Sequence, residues 1–172
     1  MDKIFLTQLT GVLKKIQEQE EFQLEDSARL IAQALIGEGT VFIWGNQELE
    51  GVIFEATKGK EAIPRVKKLD EIEPLTDLDR VILFSRTSSD KELLELGRNL
   101  YEKNVPFIAV ASKVEGEGIE SIADIFIDLK IKNGLVPTET GERIGYPYLL
   151  ASIFVYHHIS FLVKEILSEY EE

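Results

Sequence analysis

Two short turns in this 172-residue sequence hold the side chains best suited to act on an anionic ligand. Ser85-Arg86-Thr87-Ser88-Ser89 places four hydroxyls and a guanidinium between an apolar run ending at Phe84 and a helical pattern opening at Asp90. Hydroxyls donate to phosphate oxygens, and the free N–H groups of a helix's first turn add the positive end of its dipole. Arg86 would balance the charge. Ser89-Asp90-Lys91-Glu92 also reads as a capping box, with Ser89 as cap and Glu92 reaching back. Capping accounts for Ser89 and leaves Ser85, Thr87 and Ser88 free for a ligand. The second turn, Gly45-Asn46-Gln47, follows a run ending at Trp44, where glycine is also ordinary turn chemistry. Val136 to Arg143 forms a further polar cluster, readable as a plain connection or as a cover over a ligand.

These turns must be positioned by flanking elements. Apolar residues from Lys3 to Ile16 recur at three and four, which predicts an amphipathic helix, and a second helix is expected from Glu25 to the Gly37, Gly39 pair. Thr40–Trp44, Arg80–Phe84, Pro106–Ala111 and Asp124–Leu129 are short runs apolar on both faces, as in strands covered by helices on both sides. Gly51–Ala56 is a weaker strand candidate. Asp90–Lys103 is an amphipathic helix, Lys132–Pro147 an extended loop, and Tyr148–Tyr170 a helix apolar around nearly its whole circumference. Strands alternating with helices predict an α/β fold of three layers, a doubly wound, mostly parallel sheet of four or five strands within one domain spanning residues 1–172. In such sheets ligands bind beyond the carboxyl ends of the strands, where chain order reverses, and this singles out the two turns above. One sheet face cannot bury the whole of the final helix, so a homodimer through it is expected.

Composition narrows the function further. The formal charge of −12 repels polyanions, so nucleic acid is not an expected partner. The acidic stretches Gln17–Asp26 and Glu165–Glu172 read as solvated faces. Leu149–Val163 is broken by His157 and His158 and is shorter than the ~20 residues a bilayer needs, so no membrane is expected. The amino terminus lacks the pattern of a secretory signal, which makes the cytoplasm the expected location. The sequence has no cysteine, which rules out disulfides, thiolate zinc sites and cysteine nucleophiles. Two adjacent histidines point to different helix faces, so no metal site is predicted. With no G-x-G-x-x-G after any strand, dinucleotide binding is disfavoured and no cofactor is expected.

Taken together, the strand, Ser85-Arg86-Thr87-Ser88-Ser89-Asp90, the helix after it and the strand Phe107–Ala111 resemble the sugar isomerase (SIS) domain, in particular the phosphoheptose isomerases. In that family a Gly-Asn-Gly-Gly-Ser turn ends the first strand, and a Ser-x-Ser-Gly-x-Ser/Thr turn ending the third binds the sugar phosphate. Gly45 and Asn46 match the start of the former; Ser85 and Thr87 match the first two hydroxyls of the latter. Gln47, Glu48 and Leu49 stand where the family has small residues, Ser88 replaces the glycine, and Asp90 stands at the last hydroxyl. The resemblance implies a small-molecule sugar phosphate as ligand, held by Gly45, Asn46, Ser85, Arg86, Thr87, Ser88 and Ser89. It also implies aldose–ketose isomerisation by an acid–base pair, for which Glu48, Glu50 and Glu55 lie in the right region and His157 or His158 on the right helix. The family's Gln-Glu-x-His pattern is absent. The alternative is a non-catalytic sensor or scaffold that keeps the fold while its site has changed.

Overall fold

Helix and strand alternate through nearly the whole chain, of which the computed structural model describes residues 1–171. The order is α1 (Asp2–Gln19), α2 (Glu21–Ile36), β1 (Val41–Gly45), α3 (Glu50–Lys58), β2 (Val66–Lys68), β3 (Arg80–Thr87), α4 (Lys91–Glu102), β4 (Phe107–Ser112), β5 (Ile125–Asp128), β6 (Val136–Pro137), β7 (Arg143–Ile144) and α5 (Tyr148–Glu171). The first five strands form one parallel sheet in the order β2-β1-β3-β4-β5, and β6 and β7 pair as a small antiparallel hairpin. This is the doubly wound architecture that the alternating pattern predicts. Chain order reverses between β1 and β3, so their outgoing loops diverge and leave a crevice at the carboxyl edge.

The central strands are buried on both faces because each face carries its own helical layer. Ile82 and Phe84 of β3, with Ile108 and Val110 of β4, pack into a cluster shared with α2, α3 and α5. Val81, Leu83, Phe107 and Ala109, one residue out of phase, pack against Leu93 and Leu100 of α4 on the other side. By length and composition α5 would suffice to cross a membrane, with a mean hydropathy of 1.3. Here it is a core helix: Ala151, Val155, Tyr156, Ile159 and Val163 are buried against α2, α3 and the sheet. The Tyr156 hydroxyl donates to the Glu61 carbonyl at 2.6 Å. Burial pushes its pKa up to about 12.

Several expectations are corrected. Gly51–Ala56 is not a strand but lies within α3, where Val52, Ile53 and Ala56 form a buried helical face and Phe54 points to solvent. The fifth strand is β2, a three-residue edge strand with two lysines, which has too few apolar residues to be read from pattern. The second helix begins at Glu21, because Glu20 alone breaks the path between α1 and α2. The Lys132–Pro147 connection contains the β6–β7 hairpin.

Candidate functional site

The turn after β3 is shaped by a bulge. Phe84 lies opposite Val110 and Thr87 opposite Ser112, so β3 carries one more residue than β4 over that interval. The extra residue turns Arg86 outward to the carboxyl edge while Ser85 and Ser88 are carried inside. Ser85 is fully buried, and its hydroxyl has no partner among the described residues. Ser88, also fully buried, donates its backbone N–H to Ser112 O at 2.9 Å and accepts from Val114 N at 3.1 Å through its hydroxyl. Ser89 is exposed. The four hydroxyls therefore do not converge on one pocket, which corrects the sequence reading. The capping box is corrected too. The helix starts one residue later than expected, at Lys91, so Asp90 is the cap and its Oδ1 accepts from Leu93 N at 3.0 Å.

The β1 turn folds back tightly against its own strand. A Cβ on Gly45 would meet the Leu49 carbonyl oxygen at 2.5 Å and its carbon at 2.8 Å, so only glycine fits. Gln47 takes a φ of 53°, the left-handed region that favours glycine, and opens a single 3-10 turn, Gln47–Leu49. Asn46, nearly buried, joins the two turns, because its Nδ2 donates to Asp90 Oδ1 at 3.3 Å and to Glu92 Oε1 at 3.4 Å. Its side-chain oxygen, Oδ1, has no partner among the described residues.

Between these turns lies a crevice of about 630 Å3 lined by Gln47, Glu48, Arg86, Thr87, Asp90, Tyr146 and Tyr148. Glu48 grips Arg86 with both oxygens, at 2.8 Å from Nε to Oε1 and 2.6 Å from Nη2 to Oε2. The hydrogen-bonded guanidinium holds the Glu48 carboxyl below its ordinary range, and the carboxylate raises Arg86 in return. Tyr146 and Tyr148 stack with ring centroids 5.9 Å apart. Burial, with smaller contributions from Tyr146 and Glu48, pushes the Tyr148 phenol up against the opposing pull of Arg86, so it stays protonated at neutral pH. Asp90 lies in the crevice, as its place at the last hydroxyl of the turn implied, but the two tyrosines escaped the sequence reading of the site. A Tyr-Pro-Tyr start to the last helix, at the end of a loop returning to the sheet, was their only signal.

The acid–base candidates do not meet in this crevice. Glu48 lines it, while Glu50, Glu55, His157 and His158 do not. Glu55 instead lies 3.4 Å from His157 Nε2, joining α3 to α5, and His158 packs edge-on to Phe154. The Val136–Arg143 segment is no cover over this crevice either. It folds as the β6–β7 hairpin, fixed by Arg143, which donates to the carbonyls of Gly134 and Leu135.

Sheet order, crevice position and the long closing helix together define a sugar isomerase domain fold. It is shared with a putative phosphosugar isomerase involved in capsule formation from Bacteroides fragilis, at 17% identity and a TM-score of 0.70 over 96% of this chain and 88% of that one. Phosphoheptose isomerase from Neisseria gonorrhoeae gives 13%, 0.63, 92% and 96% in the same order. The NanR protein of Vibrio vulnificus, complexed with ManNAc-6P, gives 11%, 0.64, 98% and 62%. The chain itself belongs to the family described as Domain of unknown function (DUF2529), whose model matches residues 1–167. It is 45% identical, over 99% of both chains, to the uncharacterized protein YwjG of Bacillus subtilis (strain 168).

Proposed function

We propose that the chain binds a sugar phosphate in the crevice between the β1 and β3 turns, and that it does so as a sensor or scaffold without isomerising it. One observation carries the binding half: Arg86 stands in an open crevice at the switch point with its planar fork already arranged for a bidentate anion. A phosphate presents the same pair of oxygens as the Glu48 carboxylate now held there. Binding then requires Glu48 to swing aside. Thr87 adds a hydroxyl, and Tyr148 adds a neutral phenol for the sugar. Three proteins of the same fold are named for, or complexed with, phosphosugars, which supports the ligand class.

The non-catalytic half rests on where the acid and base candidates lie. Proton transfer beside a carbonyl needs two groups within hydrogen-bond reach of one substrate. Of the five candidates Glu48 alone lines the crevice, while Glu50, Glu55 and both histidines lie outside it, so no second proposed group reaches a substrate held there. A homodimer through α5 belongs to the same proposal, supported by Leu150 at 49% and Phe161 at 52% exposure on a helix whose opposite face is core.

A thermal-shift panel of sugar phosphates tests binding. The wild type should be stabilised by at least one of them, and an Arg86→Ala, Thr87→Ala variant should not; no shift with any compound overturns the reading. Turnover of sedoheptulose 7-phosphate by the wild type would overturn the non-catalytic half alone.

A further inference from the structure

On the same carboxyl edge, but beyond β4 and β5, a second cleft of about 570 Å3 opens between α1 and the segment following β5. Lys15, Lys113, Lys130, Lys132 and Arg143 line it, with Asp128 as the only acidic residue among the described lining. The protein has 19 basic residues and a net charge of −12, so five cations around one opening reverse the average field locally.

The carboxylates nearest this cleft are already engaged in holding the backbone. Asp128 Oδ1 accepts from Lys113 N at 3.0 Å and from Lys130 N at 2.9 Å. Glu20, 7% exposed, accepts from Asp128 N at 2.6 Å. Their remaining charge goes to Lys130, whose Nζ lies 3.6 Å from Asp128 and 3.9 Å from Glu20. Arg143 is aimed by two neutral acceptors, the carbonyls of Gly134 at 2.7 Å and Leu135 at 3.3 Å, which leave its charge uncompensated. Among the described residues Lys15, Lys113, Lys132 and Arg143 have no ion-pair partner.

The frame that gathers these four charges is stiff. Ile131 N donates to Ser112 Oγ at 3.2 Å, Lys130 is held at a φ of 61°, and a Cβ on Gly134 would meet Ile144 O at 2.6 Å. Like charges held together on a fixed frame repel one another, and an anion removes that repulsion. The concavity is of small-molecule size. Gln19 and Asn133 add amide donors, and no aromatic ring is present among the described lining for a nucleobase to stack on.

We propose that this cleft is a second anion site, separate from the Arg86 crevice, that takes a small polar molecule bearing two phosphoryl groups. Its four unpaired cations exceed what a single phosphate monoester needs, so doubly phosphorylated ligands bind in preference to singly phosphorylated ones.

Isothermal titration of the full chain with inorganic pyrophosphate is the test. The wild type should bind one equivalent, with Kd rising steeply as sodium chloride is raised from about 50 to 200 mM. Lys113→Gln, Lys132→Gln should weaken binding at least about tenfold, whereas Arg86→Ala should leave it unchanged. These lysines are exposed, so the double variant should melt as the wild type does. No binding by the wild type would overturn the proposal, as would equal affinity in the lysine variant. Loss of pyrophosphate binding in Arg86→Ala would return the anion to the first crevice and also overturn it. Loss of sugar-phosphate binding alone bears only on the first crevice.

Discussion

At the residue scale, the Glu48–Arg86 pair is the control point of the crevice. Glu48 occupies the fork that a phosphate would use, and Asp90 adds a second negative charge nearby, so both oppose an incoming anion. Glu48→Gln removes the competing charge and should tighten sugar-phosphate binding about tenfold, a difference on the order of 1.4 kcal/mol. An unchanged or weaker affinity would argue against displacement. The pair also sets a pH dependence. Arg86 holds the Glu48 carboxyl below its ordinary 4.5, so the interaction favours the folded state fully above that pH and is lost as pH falls through the depressed folded-state value. Both side chains are substantially exposed, which keeps the effect small. Melting temperatures of wild type and Glu48→Gln should differ slightly at pH 7 and converge below pH 4.5; a gap that widens in acid would contradict the assignment.

At the element scale, two short features bring the turns together. Gly45 lets the 3-10 turn close onto β1, and its replacement by alanine would press on the Leu49 backbone, which cannot move without carrying Glu48 with it. Gly45→Ala should destabilise the protein by about 1–3 kcal/mol and weaken the grip on Arg86. A melting temperature equal to the wild type would show that the turn yields. Asp90 closes the turn after β3, caps α4 and accepts from Asn46. Asp90→Ala should lower stability by about 1 kcal/mol while raising affinity for anions in the crevice, because a nearby carboxylate is removed. Denaturant titration and ligand titration of one variant read the two effects separately.

At the scale of the whole molecule, α5 presents one face to α2, α3 and the sheet and leaves Leu150 and Phe161 toward solvent, with Phe154, His157 and His158 beside them. An apolar helical face of this kind is a natural contact for a second copy. Sedimentation velocity at micromolar concentration should report a dimer for the wild type and a monomer for Phe161→Glu. A monomeric wild type would leave α5 without this role.

Strands β1, β3, β4 and β5, helices α1, α2, α4 and α5, and the layer arrangement were legible in the sequence, because burial on two faces and on one face leave different periodicities. Thr40–Trp44, Arg80–Phe84 and Pro106–Ala111 could be read because their apolar runs are continuous. Val66–Lys68 could not, since an edge strand with two lysines has no pattern, and Gly51–Ala56 misled because six residues cannot separate period two from period 3.6. The two turns could be placed at the crevice from strand order alone. Which of their side chains face it depended on a single-residue bulge, invisible locally because it exists only as a mismatch between β3 and β4. That mismatch buried Ser85 and Ser88 and presented Arg86. Glu48 is 38 residues from Arg86, Tyr148 lies across the whole remaining fold, and Lys15 meets Lys132 only after α1 packs beside the β5 exit. Sequence determined which charges and rings were present; their meeting in two clefts was decided by long-range packing, which brings together groups that nothing in their local stretches of chain relates.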